Sequence, residues 1–597
     1  MRLSQAVRLV GAVGIVSILV TACLWTSCSK NDGHLPREVP AVVSDFKTEF
    51  HNRGTNSIKS DSGGGGVRGG GWGKEGRVAS LKYHEMDCVI NGDYPVKCRR
   101  EGPEVFMPLS FIQTYFEVFG KVETNDKYER LEFMHANSKV HPPRQSYSPS
   151  SVFMSFEFYH VEERDRVKCI SAIEGVPFST QWTPDGHFYP IQIAQYGLSH
   201  YSKHLVEGLP EVLVMEDGEE EDVADWARPD NRAHMRLTHD SNTDSNVVEF
   251  AASDSLRNPG LVMMADEKED YVMTVDVLFT SNGSLTVTVE TQSGQLFNIH
   301  FVLSSTLITM EGSDIFYGLG QQRGHWIHLA RDIKIDLQKG LSLKYTKTRR
   351  TKSKMNFARI KDIAVRGQGR LDNLTLARSA HMDNFYAAAD WMVRHQDDRG
   401  GWPIMVRRKL LEGVMELPPG WYSAMAQGQA MSLLVRAHLL TSDPQYLTAA
   451  VKAMKLFEIS SEQGGVLAKF MGQYDWYEEY PTTPSSFVLN GFIYALLGLY
   501  DLKETANKDD SVVASKLYEA GMKSLKAMLL MFDTGSDTFY DLRHLTLGIE
   551  PNRARWDYHT THINQLLQLV IIDDDPLFKT TAQRWMGYMK GKRARHN

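Results

Sequence analysis

The sequence predicts a multidomain protein with both α and β structure, in which a β-strand region is followed by a helical C-terminal region. The chain has 597 residues, which is more than one hydrophobic core supports. Apolar residues alternate in short runs through the middle of the chain and recur at helical spacing after His381. A hydrophobic content of 42% is typical of packed globular domains.

The chain begins with an apolar segment long enough to cross a membrane. No acidic or basic side chain interrupts residues 9–29, and Arg2 and Arg8 precede them. We therefore predict a cytosolic tail at residues 1–8 and a transmembrane signal-anchor helix at residues 9–29. A cleaved signal peptide is an alternative, and residues 20–23 also resemble a lipoprotein cleavage site. All three interpretations export the rest of the chain.

The exported part begins with a segment that has the composition of a linker. Residues 30–77 are rich in glycine, serine and charged side chains and predict a flexible stem. Two glycosylation sequons, at Asn282 and Asn373, fit a secretory lumen. Cys88 and Cys98 could form a disulfide across a hairpin, but two separate thiols fit the sequence equally well.

Strand patterns extend from residue 78 to residue 376. We predict an N-terminal β-hairpin region at residues 78–150 and a β-sandwich or barrel at residues 151–376, because no regular helix separates the strand-like runs. The clearest runs are residues 271–277 and 285–289. Asn282-Gly283 lies between them and predicts a tight hairpin.

Helical spacing dominates residues 377–597. Helices of similar length, separated by polar loops, predict an α/α barrel (toroid) whose loops form a cleft at one end. The predicted helices are 385–394, 424–440, 446–457, 487–502, 512–530 and 563–572.

Two segments of the helical region carry side chains suited to proton transfer. Residues 475–491 combine two tyrosines with Glu478 and Glu479, and two prolines stiffen the backbone. By composition alone, a surface loop with a solvated acidic pair is as good an interpretation. The second segment, residues 538–564, is basic, aromatic and rich in histidine. His559 and His562 lack the context of a zinc motif, so we interpret them as satisfied or substrate-facing side chains.

Two charged clusters in the middle region are candidate ligand sites. Arg164, Arg166 and Lys168 alternate, so a β-strand would place all three on one face and form a ladder for sulfates or carboxylates. A solvated strand face is an equally good interpretation. Residues 216–225 form an acidic loop that could hold calcium, although it lacks the spacing of an EF-hand.

The composition excludes several function classes. A net charge of −7 gives no general attraction to nucleic acid, so anionic ligands need local basic clusters. The stem glycines are low-complexity sequence, and no phosphate-cradling glycine motif follows a strand, so no organic cofactor is expected.

Long stretches of the chain resemble one known family. The sequence is similar to the heparan sulfate glucuronyl 5-epimerases over nearly everything after Val78. The stretches that carry the resemblance are DWYEEYPTTPSSFVLNGF from Asp475, GWYSAMAQGQA from Gly420, YDLRH from Tyr540, ARWDYHTTHINQL from Ala554, FYPIQIAQYGLSHYSK from Phe188 and RDRVKCIS from Arg164.

The resemblance implies an activity and a location. The family converts D-glucuronate to L-iduronate in N-sulfated heparosan, the precursor of heparan sulfate and heparin, by inverting carbon 5. It implies a homodimeric, single-pass type II Golgi membrane protein with a luminal catalytic part, a structural calcium ion and association with a heparan sulfate sulfotransferase. A uronate polysaccharide lyase and a non-catalytic heparan-binding protein are the alternatives, and the lyase would abstract the same proton.

The resemblance also assigns residues. We expect Glu479 and Tyr558 to face opposite sides of the sugar ring, assisted by Tyr480 and Tyr540, with Arg543 and the Arg553/Arg555 pair as sources of positive charge that lower a tyrosine pKa. The implied polysaccharide-binding residues are Tyr159, Arg164, Arg166, Gln181, Tyr189, Gln192, Gln195, Lys409, Asn490, Tyr494, Arg543, Asn552 and Arg555. The implied calcium ligands are Asp217, Glu219, Ser245, Asn246 and Asp372.

Overall fold

The computed structural model describes most of the chain after residue 83. The described residues are 84–90, 94–109, 118–124, 129–135, 139–143, 146–219, 223–344, 356–590 and 592–595. The predicted tail, signal anchor and stem lie outside them. Within the described ranges, no helix is both long and apolar enough to span a bilayer.

The first described residues form β-hairpins. Strands β1 and β2 pair in antiparallel fashion and β3 extends this sheet, while β4 and β5 form a separate hairpin. Cys88 and Cys98 lie on neighbouring strands, but both are free thiols. They lie diagonally, because Cys88 faces Val96 and Cys98 faces Met86. The strands are β1 (His84–Ile90), β2 (Tyr94–Glu101), β3 (Glu104–Phe106), β4 (Val118–Thr124) and β5 (Glu129–His135).

The chain then enters the helical core before it forms the sandwich. A three-stranded sheet leads into helix α1 (Pro190–Glu207), which packs against later helices. Phe153, Ile193 and Leu198 are fully buried in the same core as these helices. Residues 151–207 therefore lie with the helical region, which differs from the boundary drawn from sequence. The strands of the sheet are β6 (Val167–Ile170), β7 (Pro177–Ser179) and β8 (His187–Phe188).

Two sheets form the β-sandwich. In the described residues, one sheet has the order β10-β13-β20-β15-β16-β18-β17, and the other has the order β11-β12-β21-β14-β19 with β9 beside β21. Among the described strands of the sandwich, β16 and β18 are the one parallel pair. The strands are β9 (Val212–Glu216), β10 (Trp226–Ala227), β11 (His234–Asp240), β12 (Ser245–Ala251), β13 (Leu261–Glu267), β14 (Val272–Phe279), β15 (Ser284–Thr291), β16 (Leu296–Val302), β17 (Ile308–Glu311), β18 (Asp314–Gly318), β19 (Trp326–Asp332), β20 (Phe357–Arg366) and β21 (Gln368–Ala377).

The predicted hairpin at Asn282-Gly283 is wrong. Strands β14 and β15 belong to different sheets, so the connection between them crosses the sandwich. Gly283 is needed for a close approach, because a Cβ there would lie 2.5 Å from the backbone oxygen of Arg366. Both strands bury one face in the shared core, which includes Val275, Val277 and Val287. The alternation of apolar residues shows which face of a strand is buried, but it does not show which strand is its hydrogen-bonded neighbour.

Helices make up most of the rest of the described chain. Helix α2 (Ile333–Lys344) lies beside the sandwich, and short hairpins form from β22 and β23 and from β24 and β25. The hairpin strands are β22 (Arg408–Leu411), β23 (Met415–Leu417), β24 (Leu467–Phe470) and β25 (Tyr474–Tyr477). The other helices are α3 (His381–Arg394), α4 (Ala424–Thr441), α5 (Pro444–Ala453), α6 (Lys455–Glu458), α7 (Leu489–Thr505), α8 (Lys508–Met528), α9 (Arg543–Leu547), α10 (Trp556–Ile572) and α11 (Pro576–Met589).

The long helices pack in two layers. Helices α1, α4, α7 and α10 contact one another in succession, and α3, α5, α8 and α11 pack against them in the same order. No closed barrel is found in the part of the chain that the structure describes. Helices α4 and α7 are buried on nearly every side. The two helices approach closely at Gly428 and Gly498. A Cβ at Gly498 would lie 2.2 Å from the backbone oxygen of Gly428, so the contact requires glycine there.

A buried ion pair joins these central helices to the segment before α1. Nη1 of Arg436 on α4 donates to Asp501 on α7 at 2.8 Å, and neither side chain is exposed to solvent. The Tyr147 hydroxyl donates to the same carboxylate at 2.7 Å, and Nη2 of Arg436 donates to the Ser151 carbonyl at 3.2 Å. These bonds compensate the desolvation of both charges.

We predict that Asp501→Asn lowers the free energy of unfolding by about 3–5 kcal/mol, because it leaves the buried guanidinium of Arg436 without a counter-charge. The measurement is urea-induced unfolding of the purified protein. Glu504→Gln on the same helix is the matched control, since this half-exposed side chain pairs only with neighbouring Lys503. Equal effects of the two substitutions would contradict the assigned role of the buried pair.

Candidate active site

A cleft of about 1240 Å³ lies between the segment before α1 and the ends of the central helices. It brings together residues that are hundreds of positions apart in sequence. Helical spacing explains part of the lining, because Gln192 and Gln195 share one face of α1, and Asn490 and Tyr494 share one face of α7. The expected site residues that line it are Tyr159, Arg164, Arg166, Gln181, Tyr189, Gln192, Gln195, Glu479, Tyr480, Asn490, Tyr494, Arg555 and Tyr558.

The adjacent carboxylates of the loop before α7 point in different directions. Glu479 lines the cleft, whereas Glu478 is absent from its lining. The Glu478 carboxylate accepts hydrogen bonds from the Ser486 hydroxyl at 2.9 Å and from the Phe487 backbone N–H at 3.0 Å. Burial raises the pKa of Glu478 to about 8. Glu478 thus anchors the loop, while Glu479 lies in the bend after β25 and faces the cleft.

Glu479 is buried and yet has few partners. Its side chain is 4% exposed, and the Tyr540 hydroxyl donates to Oε1 at 3.4 Å. Oε2 has no hydrogen-bond partner among the described residues. It lies so close to α7 that a Cβ at Gly491 would be 2.5 Å away. Burial raises the pKa of Glu479 to about 7, and the hydroxyl of Tyr480, the charge of Arg408 and Tyr540 oppose that rise.

Tyrosine hydroxyls surround this carboxylate. The rings of Tyr540 and Tyr558 meet edge to face, with centroids 4.8 Å apart. Burial, reinforced by the charge of Glu479, raises the pKa of Tyr480, Tyr540 and Tyr558 above the ordinary value. These phenols are therefore protonated at neutral pH and can donate hydrogen bonds or protons.

The expected lowering of a tyrosine pKa occurs only as a partial opposition. Burial dominates at each phenol and raises its pKa, and the charge of Arg555 opposes this rise at Tyr558. Two bonds tie Arg543 to the buried Asp541, with Nε–Oδ1 and Nη2–Oδ2 distances of 3.1 and 3.0 Å. Arg553 forms an ion pair with Asp537. Of the three, Arg555 stacks on a catalytic candidate, with its guanidinium carbon 5.5 Å from the centroid of the Tyr558 ring.

The basic cluster before β6 does not form the predicted strand ladder. Arg164 and Arg166 lie in turns, and the strand begins at Val167. Both arginines nevertheless line the cleft, whereas Lys168 does not. The Nη1 group of Arg164 donates to Oε1 of Gln195 at 2.7 Å, which holds this guanidinium against α1. Turns, rather than a strand, thus bring both arginines to one concave surface.

Buried amides in the cleft have free hydrogen-bonding capacity. Both polar side-chain atoms of Gln192, Oε1 of Gln181 and Oδ1 of Asn490 are buried without partners among the described residues. Buried polar atoms in native proteins are nearly always hydrogen-bonded. These amides are therefore candidates to bind the hydroxyl and acidic groups of a ligand.

Four expected residues lie outside the lining of the cleft, namely Tyr540, Arg543, Asn552 and Lys409. Asn552 donates to Oδ2 of Asp541 at 2.7 Å and so supports the loop that carries Tyr540. Lys409 lies on the β22–β23 hairpin, where it pairs with Glu412 at 2.8 Å. His559 and His562 are buried beside Thr538, with Nδ1–Oγ1 distances of 3.0 Å for both.

Sequence reasoning missed the aromatic wall behind Tyr480. The rings of Trp421 and Trp182 lie with their centroids 5.7 and 6.4 Å from that of Tyr480. Arg408 stacks on the same ring at 5.4 Å. The position of Trp182 directly after Gln181 was the available signal. Nothing local indicated that Trp182 contacts Trp421 and Tyr480, which lie 239 and 298 positions later in the sequence.

The expected calcium ligands come from the loop after β9 and from strands β12 and β21. Within the described residues, no group of three or more His, Cys, Asp or Glu side chains is arranged to hold a metal ion. Glu219 follows β9, and its carboxylate accepts hydrogen bonds from the side-chain amide and backbone N–H of Asn246 at 3.0 and 3.3 Å. Asp372 on β21 is close to Ser245 and to the negative charge of Asp217. Gly218 permits the turn, since its φ is +73° and a Cβ there would lie 2.5 Å from the Asn246 carbonyl oxygen. The candidate ligands carry hard oxygen atoms, the donor type that calcium prefers.

Comparison with known proteins identifies the family. Residues 396–587 match the family model of the D-glucuronyl C5-epimerase C-terminus, and residues 244–368 match that of the D-glucuronyl C5-epimerase β-sandwich domain. A D-glucuronyl C5-epimerase of Caenorhabditis elegans is 37% identical over 558 residues, which cover 86% of this chain and 90% of that protein. This chain belongs to the D-glucuronyl C5-epimerase family.

Similarity to two other proteins is more limited. An uncharacterized protein of Methanocaldococcus jannaschii is 33% identical over 172 residues, or 28% of this chain and 53% of that protein. The solved structure of an exo-beta-agarase has a TM-score of 0.16 and 14% identity, and the match covers 38% of this chain and 30% of the agarase. This structural similarity carries no argument about the epimerase fold.

We predict that Glu479→Gln stabilises the protein at pH 8 but not at pH 4. The folded-state pKa of Glu479, about 7, exceeds its ordinary value of 4.5. Folding therefore favours the protonated carboxyl, and the ionised form destabilises the fold increasingly as the pH rises through this window. Above this pH window, the isosteric neutral amide removes a destabilisation of the fold on the order of 3 kcal/mol. Urea unfolding at both pH values measures this, and a variant less stable than wild type at pH 8 would contradict it.

Proposed function

We propose that this protein inverts carbon 5 of D-glucuronate residues in N-sulfated heparosan and produces L-iduronate residues. The observation that carries this proposal is the buried Glu479 carboxylate, whose pKa lies near neutrality among protonated tyrosines in one cleft. Membership of the D-glucuronyl C5-epimerase family supports the reaction. The substrate polymer follows from the stretches of sequence that resemble the heparan sulfate enzymes.

The first step requires a base of moderate strength in a dry site. The C5 proton of glucuronate is weakly acidic because it lies next to the carboxylate, and its removal leaves a carbanion or enolate. Glu479 accepts this proton on its unpartnered Oε2. A base whose pKa matches the working pH gives efficient general base catalysis. Burial also keeps water away from the intermediate, which strengthens the hydrogen bonds that stabilise its charge.

The second step returns a proton to the other face of C5. Tyr558 lines the same cleft as Glu479 and carries an O–H group, so it is the proposed acid. The resulting tyrosinate is stabilised by Arg166 and Arg555, whose charges oppose the rise in its pKa. Tyr540 contacts both Glu479 and Tyr558, and Tyr480 lies beside them. The hydroxyls of Tyr480 and Tyr540 can therefore hold the substrate carboxylate or relay protons. Solvent then restores Glu479 and Tyr558.

The polymer is bound by local positive charge rather than by the net charge of the protein. Arg164, Arg166 and Arg555 supply cationic groups in the cleft, and the unpartnered amides supply hydrogen bonds to hydroxyls. Guanidinium groups suit carboxylates and N-sulfates because they form paired charge-assisted bonds.

Incubation with N-sulfated heparosan in deuterated water tests the proposal. We expect deuterium at carbon 5, formation of iduronate and unchanged polymer length, observed by NMR and size-exclusion chromatography. A lyase would abstract the same proton but would then expel the carbon 4 substituent. Accumulation of an unsaturated uronate, or absence of both exchange and iduronate, would overturn the proposed function.

We predict different effects of amide substitution at the two adjacent glutamates. Glu479→Gln removes the base and should lower kcat by about 10²–10⁴-fold. Glu478→Gln should retain most of the activity, because burial keeps that carboxyl largely protonated at neutral pH and the amide preserves its shape. Initial rates of C5 exchange measure both. Equal losses would show that Glu479 acts only through the structure of the loop.

We also propose that a structural calcium ion binds where the loop after β9 meets β12 and β21. Asp217, Glu219, Ser245, Asn246 and Asp372 would supply oxygen ligands. Burial and then the nearby charges of Asp276 and Asp217 raise the pKa of Asp372 to about 6. A divalent cation would relieve this crowding of negative charge and would tie the loop to the sheet.

Calcium is expected to raise the Tm of the wild-type protein, since a ligand that binds only the native state stabilises it by about 2.7 kcal/mol at a hundred times its Kd. Asp372→Asn should abolish most of this shift. Asp244→Asn is the matched control, because this sandwich aspartate has a 97% exposed side chain. Thermal unfolding with calcium, magnesium or chelator provides the measurement. A Tm that is insensitive to calcium would refute the site.

The remaining proposals rest on the resemblance and the sequence. We propose a single-pass type II Golgi membrane protein with a luminal catalytic part, glycosylated at Asn282 and Asn373, both of which are exposed. We propose a homodimer that associates with a heparan sulfate sulfotransferase. The two helical layers would belong to an α/α toroid, and their succession of inner and outer helices supports that architecture.

A further inference from the structure

Arg408 lies beside the proposed proton-transfer groups but has no role in the reaction described so far. It begins strand β22, and its guanidinium carbon lies 4.9 Å from the centroid of Trp182 and 5.4 Å from that of Tyr480. The Nη1 group donates to the Lys409 carbonyl at 3.0 Å. Nε is buried and has no hydrogen-bond partner within the described residues. Two aromatic rings therefore fix this cation.

The rings of Trp182 and Tyr480 form a clamp around Arg408, and the backbone of Trp182 is strained. Its φ is +69°, in the left-handed region that bulky aromatic residues rarely adopt. The indole packs against Tyr189 and Trp421, with centroids 5.3 and 6.0 Å away. Such strain costs about 1–3 kcal/mol and persists where the surrounding packing enforces it, often at functional sites.

The charge of Arg408 acts on the centre of the site. Burial raises the pKa of Glu479, and Arg408 is the cation that most opposes this rise. The same charge opposes the rise in the pKa of Tyr480 and Tyr189. The cleft that Glu479 lines also contains the cations Arg164, Arg166 and Arg555. The phenols and carboxyls coupled to Glu479 are Tyr189, Tyr480, Tyr494, Tyr540, Tyr558, Glu478 and Asp541.

We propose that Arg408, clamped between Trp182 and Tyr480, is a positioning residue for proton transfer whose charge keeps Glu479 in its carboxylate form. The inference rests on the proposed function, because it takes Glu479 as the base. Arg408 is not among the residues that line the described cleft, so it acts through Glu479 and Tyr480 rather than by holding the polymer. Arg164 and Arg166, which line the cleft, serve the substrate instead.

If Arg408 tunes Glu479, its removal changes the pH dependence of the activity; if Arg408 is merely structural, it does not. The base must be ionised, so activity rises with pH through the pKa of Glu479. Removal of the positive charge raises that pKa further and moves the acidic limb of the profile to higher pH. A disturbed fold would instead lower the rate at every pH and leave the limb in place.

The test is the pH profile of kcat and KM for C5 exchange in wild type, Arg408→Met and Arg408→Lys. In Arg408→Met we expect the acidic limb of kcat to move up by about one pH unit, with a rate about fivefold lower at pH 7 that recovers by about pH 9. KM should change little. Arg408→Lys should keep the limb near its wild-type position, since it preserves the charge.

Arg407→Met is the matched control. Arg407 precedes the strand, its side chain is 63% exposed and it lies 3.7 Å from Glu416, so its loss should not move the limb. Should Arg408→Met fail to fold, Trp182→Leu replaces it, because this variant loosens the clamp but keeps the charge. Its limb should move in the same direction by a smaller amount.

The outcomes separate this inference from the proposed function. An unmoved limb in the folded Arg408→Met variant, or in Trp182→Leu where it replaces Arg408→Met, overturns the role of Arg408 and leaves the epimerase proposal standing. A limb that moves equally in Arg407→Met also overturns it, because the effect would then be one of general surface charge. A wild-type protein without C5 exchange would overturn the proposed function itself.

Discussion

The burial of the Glu479 carboxylate is the constraint on which the active site depends. Removal from water raises its pKa to about 7, which suits the role of base that we propose for it. The same burial keeps the surrounding phenols protonated, as the proposed acid requires. Among the described residues, the hydroxyls of Tyr480 and Tyr540 and the charge of Arg408 oppose the rise in the pKa of Glu479.

Several buried interactions stabilise the fold around the buried Glu479 carboxylate. Glu478 fixes the loop from behind through Ser486 and the Phe487 backbone. The buried Arg436–Asp501 pair joins two central helices to the segment that supplies the basic half of the cleft. The site therefore lies between parts of the chain that precede and follow the sandwich. A domain boundary drawn between strands and helices would divide it.

Local sequence patterns predicted the long helices and the presence of the sandwich well, because periodicity records which faces are buried. Where partners are distant, the same patterns failed. Strands β14 and β15 alternate as hairpin strands do, yet they belong to opposite sheets. Arg164 and Arg166 alternate as in a strand, yet they reach the cleft from turns. Arg543 was expected to tune a tyrosine, but the adjacent Asp541 neutralises it.

The sequence by itself determined the family and indicated the candidate proton-transfer residues, because long motifs and helical spacing are local properties of the chain. Only the tertiary structure decided which glutamate faces the cleft, which phenols meet it and that Arg408 and Trp182 stand behind them. A pKa depends on desolvation and on charges brought close in space. Those quantities exist only after the chain has folded.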